Sequence, residues 1–195
     1  MTHGDLLLLW TRDYDNQLIS TNPAQHRVGS RLWRAATQSW VATPSAATGQ
    51  TYQLSQSLAG SGNRALYAWT RDADGVLTND TDQEVFYCEW ADGTWGPVTQ
   101  YATNSVADKN ARAAVSPSGD AYLIWQQGTN LVMSKNFATN VSLVRADSQT
   151  AGFLDYSLAF GPAGNLVLLW QEMMGKVLLL LAYAEGRRTG RSGGC

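Results

Sequence analysis

The chain has 195 residues, of which 15% are charged, and a formal net charge of −2. Such a length buries a sizeable core. So sparse and even a charge excludes the basic footprint of a nucleic-acid binder or of a protein drawn to an acidic membrane surface. Residues 177–182 are apolar but far short of the roughly 20 residues a membrane helix needs, so no membrane insertion is expected. The first five residues lack the basic region and apolar stretch of a secretory signal.

In chain order, the first apolar run is Leu6-Leu7-Leu8-Leu9-Trp10, directly after Gly4-Asp5. It is continuous rather than helix-periodic, and a short continuous run bounded by turn residues fits a strand buried on both faces. Residues 31–35 and then Ser39-Trp40-Val41-Ala42-Thr43-Pro44 read as two further strands. The next unit reads as four strands: 55–58, 64–69 after a turn at 59–63, 84–90, and Thr94-Trp95-Gly96-Pro97-Val98. Asp92-Gly93 is a strong hairpin turn between its last two strands. The third unit opens with 111–115, the turn Ser116-Pro117-Ser118-Gly119-Asp120 and the strand 121–125, followed by 131–135. The fourth repeats that pattern with 156–160, the turn Gly161-Pro162-Ala163-Gly164-Asn165, then 166–170 and 177–184. In both turns Pro presets φ for the first corner and Gly supplies a positive φ later.

Every unit carries Gly followed by Asp or Asn, then an apolar run closing on Trp10, Trp69, Trp125 or Trp170, at steps of 59, 56 and 45 residues. A period near 50 residues indicates a repeat architecture, and a four-stranded antiparallel unit repeated at that spacing is a propeller blade. The expected fold is all-β, a partial β-propeller of about four antiparallel blades with incomplete terminal blades. One domain covers residues 1–184, with blades at 4–44, 52–99, 111–146 and 156–184. The first blade lacks its first strand in this reading, and the last lacks its fourth. The four Trp-ending runs are expected to be inner strands, with their tryptophans packed between blades. Residues 185–195 are basic, Gly-rich and without apolar anchors, and are expected to be a disordered tail, a truncated or frame-shifted end. Truncated ends leave apolar inter-blade faces uncovered, so self-association is expected.

The chain resembles bacterial β-propeller repeat proteins of the sialidase-like (BNR, Asp-box) kind. The resemblance rests on the Trp-ending strands, the Thr-Arg-Asp loops at Thr11-Arg12-Asp13 and Thr70-Arg71-Asp72, and Ala91-Asp92-Gly93-Thr94-Trp95 in a hairpin. The family's Asp-box reads Ser-x-Asp-x-Gly-x-Thr-Trp; here Asp92-Gly93-Thr94-Trp95 omits the Ser and one spacer. The resemblance implies a propeller, and an extracellular or cell-surface setting as a fragment of a larger repeat protein. The expected function is a non-enzymatic module that binds carbohydrate or protein through loops at one end of the blade axis. The alternatives are a piece of a sialidase-like glycoside hydrolase and a purely structural repeat array.

Among candidate chemical groups, the acidic stretch from Asp72 to Glu84 stands out, with Asp72, Asp74, Asp80, Asp82 and Glu84 as possible calcium ligands. Asp72-Ala73-Asp74-Gly75 matches the middle of a calcium loop, where oxygens converge on a hard cation, although Thr70 and Thr81 occupy its first and last positions. A solvated turn is the alternative. Arg12 and Arg71 follow the Trp strands at equivalent positions and are candidates for a ligand carboxylate. Trp33 and Trp90 lie outside the repeating tryptophan positions and are the candidates for stacking on a ligand. His3 and His26 belong to no metal or nucleophile pattern. Cys88 reads as a buried free thiol, with no pairing to Cys195 expected.

Overall fold

A computed structural model of the protein describes residues 4–13, 26–48, 53–72, 81–101, 106–128, 130–138, 141–145, 153–161, 164–172, 178–184 and 187–190. Among them there is no helix, and all strand pairs are antiparallel. Four sheets follow one another along the chain. Blade 1 comprises β1 (Leu6–Asp13), β2 (His26–Arg34), β3 (Ser39–Ala42) and β4 (Ala47–Thr48). Blade 2 comprises β5 (Gln53–Ser61), β6 (Arg64–Asp72), β7 (Gln83–Ala91), β8 (Thr94–Trp95) and β9 (Thr99–Gln100). Blade 3 comprises β10 (Asp108–Val115), β11 (Ala121–Gln127), β12 (Asn130–Lys135) and β13 (Val141–Arg145). Blade 4 comprises β14 (Phe153–Phe160), β15 (Leu166–Glu172), β16 (Leu178–Ala184) and β17 (Arg187–Gly190).

In blades 1 and 2 the outer strand is split. β3 and β4 both pair with β2, and β8 and β9 both pair with β7. Pro44 and Pro97 sit at the two breaks, where the missing N–H removes a ladder bond. Blade 1 therefore has three strand positions, as its sequence predicts. Blade 4 differs from the expectation: Arg187–Gly190 pairs with β16 as a fourth strand, inside the stretch read as a disordered tail. Backbone pairing to an existing edge needs no apolar side chain, which is why composition hid it.

The Trp-ending runs form β1, β6, β11 and β15. In blades 2–4 they are the second strands, not the innermost, and β5, β10 and β14 occupy the inner edge. Each second strand has two apolar faces. One, the Trp face, carries the Trp and the residues two and four before it; the reverse face carries the residues one and three before it. Each seam sets the reverse face of one blade against the Trp face of the next. Leu7, Leu9, Val28 and Leu32 of blade 1 meet Tyr67, Trp69, Cys88 and Trp90 of blade 2. Leu66, Ala68 and Val85 meet Leu123 and Trp125 of blade 3. Tyr122, Ile124 and Met133 meet Leu166, Leu168 and Trp170 of blade 4. Trp69, Trp125 and Trp170 are fully buried in these seams, and each such side chain is worth about 1.5–3 kcal/mol of burial or more. Trp10 departs from the set. It is 37% exposed, because no described blade precedes blade 1 and its Trp face is uncovered.

Candidate functional site

The first strands of blades 2–4 converge. Ser55 Oγ donates to Asn110 Oδ1 at 2.9 Å, and Ala113 N donates to Ser57 Oγ at 3.0 Å, which ties β5 to β10. Tyr156 of β14 donates its hydroxyl to the carbonyl of Asn110, tying β14 to β10. All three strands carry a bulge or irregular register at corresponding places, between Leu54 and Ser57, Lys109 and Arg112, and Phe153 and Asp155. Ser55 and Asn110 take positive φ within the first two (48° and 55°). Beyond the bulges the strands line one cleft of about 480 Å³, whose walls include Ser57, Gly60, Ser61, Arg112, Ser157 and Ala159.

The cleft's chemistry follows from that lining. The outer edge of an edge strand has no ladder partner in its own sheet; Ala111 N, Ala113 N and the Asn110 carbonyl of β10 are taken by Thr70, Ser57 and Tyr156, and the edge groups not so used can serve a ligand or water. Three serine hydroxyls add donors and acceptors of either sense. Arg112 is engaged: it pairs with Asp155 at 3.3 Å and lies 5.5 Å from the Tyr156 ring centroid. Tyr156 is buried, and desolvation raises its phenol above the ordinary range, the charge of Arg112 opposing this. Its hydroxyl also reaches the carbonyl of Ile124 at 3.3 Å, so it serves as a structural donor between blades. The sequence concealed this cleft because alternating Ser, Gly and Ala read only as a strand. The bulges and the convergence of three strands are tertiary facts.

The residues singled out from sequence fall elsewhere. Arg12 lines a smaller cleft of about 240 Å³ on blade 1 with Trp10, Arg27, Gly29 and Arg31. Arg71 occupies the equivalent register on blade 2 and lies over the Phe86 ring at 5.6 Å to the centroid; it does not join Arg12. Trp33 is half-buried and meets Trp40 edge to face at 5.6 Å. Trp90 is 1% exposed and meets Trp95 in the same geometry at 5.4 Å, inside the seam of blades 1 and 2. It offers no face to a ligand, which corrects its assignment as a surface contact. Trp33 pairs in register with Trp40 as Trp90 pairs with Trp95, so these two do correspond. A four-residue connection in one blade and Asp92-Gly93 in the other conceal it.

Of the acidic stretch, Asp74 and Asp80 lie outside the described residues. Asp72 is buried at the end of β6. Asp82 and Glu84 lie at the start of blade 2's third strand, where burial and the charges of Asp108 and Asp82 raise the Glu84 carboxyl to about 7 against a hydrogen bond from Gln100. Asp108, across the seam on β10, accepts from Trp125 Nε1 at 3.1 Å and Gln127 Nε2 at 3.0 Å. Among the described residues no group of three or more His, Cys, Asp or Glu is arranged to hold a metal ion. Cys88 is a buried free thiol. Desolvation pushes its pKa up to about 12, with the charge of Glu89 adding.

The fold is that of the sialidase-type β-propellers, present here as four consecutive blades. Among solved structures, the chain is similar to a Hadza microbial sialidase (TM-score 0.62, 14% identity), covering 97% of this chain and 44% of that one. It is also similar to the sialidase of Trypanosoma rangeli (TM-score 0.54, 12% identity, 98% of this chain and 36% of that one). A third similar structure is a family 117 glycoside hydrolase of the marine bacterium Zobellia galactanivorans (TM-score 0.50, 8% identity, 95% and 64%). The chain thus spans less than half the length of either sialidase. No family model matches the sequence, and no curated protein matches it.

Proposed function

We propose that this chain is a non-enzymatic carbohydrate-binding propeller segment whose inter-strand cleft takes an uncharged, hydroxyl-rich glycan. The observation that carries this reading is the 480 Å³ cleft walled by three edge strands, with Ser57, Ser61 and Ser157 at its surface. Hydroxyl-rich ligands suit a wall of alternating donors and acceptors. An uncharged ligand suits it because Arg112, the one cation among its described lining residues, is already matched by Asp155. The similarity to two sialidases and a glycoside hydrolase raises the prior for a sugar, as analogy of fold.

The hydrolase alternative requires an arginine cluster, an acid and a nucleophile around one substrate. Arg12, Arg27 and Arg31 do share the smaller cleft of blade 1, but no carboxylate or tyrosine is among its described lining residues, while Arg71 lies over Phe86 and Arg64 bridges Glu89 and the carbonyl of Gly119.

A glycan array probed with the purified chain tests the reading, beside the variant Ala159→Trp. Ala159 is exposed on the cleft wall, so an indole there fills the cleft without entering the core. Retention of neutral glycans by the parent and its loss in Ala159→Trp is the expected result. No retained glycan, or retention indifferent to Ala159→Trp, defeats it. Turnover of a fluorogenic sialoside replaces it with the hydrolase.

A further inference from the structure

We propose that Asp155 is the specificity-determining residue of the 480 Å³ cleft: paired with Arg112 at the cleft's mouth, it takes two adjacent hydroxyls of a neutral sugar ring and turns carboxylated sugars away. The inference rests on the glycan reading above and adds to it the part of the sugar that is read.

The position comes from comparing three strands. Ser57, Arg112 and Ser157 pair with Ala68, Ile124 and Leu169, each the residue before a seam Trp, so they occupy one level of β5, β10 and β14. All three line the cleft. Two residues earlier stand Ser55, Asn110 and Asp155. Ser55 and Asn110 are spent on joints between strands: Ser55 donates to Asn110, and Asn110 Nδ2 donates to Gln126 at 3.4 Å. Asp155 is not spent in this way, and its side chain is 74% exposed. The first strands of successive blades touch one another, so the cleft they wall faces the blade axis and not an inter-blade face.

The chemistry comes from the pair. Asp155 Oδ1 accepts from Tyr156 N at 2.8 Å and from Arg112 Nη2 at 3.3 Å. The second contact is longer than the roughly 2.7–2.9 Å of a tight ion pair. Among the described residues Asp155 Oδ2 accepts no hydrogen bond. Arg112 is held in place by the carbonyl of Ala111 at 3.1 Å and by the Tyr156 ring over which it lies. One hydrogen on each Nη is left as a fork. An exposed pair of this kind contributes little to stability. A hydroxyl both donates and accepts, whereas a carboxylate only accepts and a guanidinium only donates. Adjacent hydroxyls of a sugar ring therefore donate to Oδ2 and accept from the fork together. A sugar carboxylate has nothing to donate and meets Asp155 as a like charge.

Isothermal titration calorimetry on the full chain tests this with methyl β-glucoside, methyl β-galactoside and methyl α-mannoside, their monodeoxy forms and the matching uronides. Asp155→Asn keeps an acceptor for Tyr156 N, and an unchanged far-UV circular dichroism spectrum verifies the fold. The parent is expected to bind at least one neutral glycoside, and its uronide on the order of tenfold more weakly. Removing either of two adjacent hydroxyls weakens the parent's binding by about tenfold and that of Asp155→Asn much less. Asp155→Asn binds the neutral sugar more weakly by a similar factor. It binds the uronide more tightly than the parent does, because Arg112 has lost its counter-charge. A neutral glycoside bound equally by parent and variant overturns the inference and leaves the glycan reading standing. Equal weakening toward neutral and acidic sugars overturns it too. So does a parent that binds none of the glycosides, and the glycan reading falls with it only if the glycan array is also blank.

Discussion

The glycine of each repeated Gly-(Asp/Asn) pair adopts the left-handed conformation: Gly4 at φ 88°, Gly62 at 60°, Gly119 at 88° and Gly164 at 78°. Only glycine takes that conformation without penalty, so the repeat's first residue is fixed by the entry into the Trp strand. Where the next residue is Asp, its carboxylate pins the end of the third strand. Asp5 accepts from Arg34 and from the backbone of Ala35, each at 3.0 Å. Asp120 takes Asn136 Nδ2 at 2.8 Å and Lys135 at 3.0 Å. Gly29 has a different reason to be glycine, since a Cβ there would fall 2.6 Å from the Trp10 indole. The side chain with the clearest solution signature is Glu84. Its folded value of about 7 lies above the ordinary 4.5, so the folded state holds the proton more tightly than the unfolded chain does. Its contribution is therefore fully present below about pH 4.5 and is lost as pH rises through about 7. We expect Glu84→Gln to flatten the fall in Tm over that window and to melt higher than the parent at pH 8. A Tm-against-pH curve for the variant that parallels the parent's would contradict this.

Strands are the scale at which the sequence is most legible. A five-residue apolar run such as Leu166–Trp170 has no polar side to offer water, and both its faces are in fact consigned: Leu166, Leu168 and Trp170 are buried, Val167 and Leu169 half-buried. The turns at 116–120 and 161–165 were equally legible. Gly119 N and Gly164 N each donate back across the turn, to the carbonyls of Ser116 and Gly161, both at 2.9 Å. What stayed hidden depends on pairing rather than pattern. β17 joins by backbone alone, and the Trp33–Trp40 and Trp90–Trp95 correspondence needs the register of two hairpins of different length. The candidate cleft was least legible, for it depends on bulges in three strands distant in sequence. Between blades 3 and 4 the joint relies on Tyr156, whose hydroxyl serves the carbonyls of Asn110 and Ile124. Tyr156→Phe keeps the ring and leaves buried acceptors short of a donor, so a loss of about 1–2 kcal/mol is expected. Urea unfolding measures it, and a change within a few tenths would mean that water replaces the hydroxyl.

At the scale of the molecule, the three apolar clusters each belong to one pair of adjacent blades. Stability is then close to a sum of blades and seams, as in other linear repeat arrays, and local opening at one seam need not unfold the rest. Cys88 lies inside the seam of blades 1 and 2, its thiol donating to the Ala46 carbonyl at 3.5 Å. With its pKa near 12 it carries almost no thiolate at neutral pH, and no reagent reaches it while the seam is shut. The protein thus contains its own stopwatch. In Cys195→Ser protein, the rate at which a small aromatic disulfide modifies Cys88 counts how often blade 1 lifts from blade 2. Modification as fast as for a free thiol would mean the seam stands open in solution. Slow modification, quickened by low urea long before the far-UV signal changes, would time the departure of a single blade.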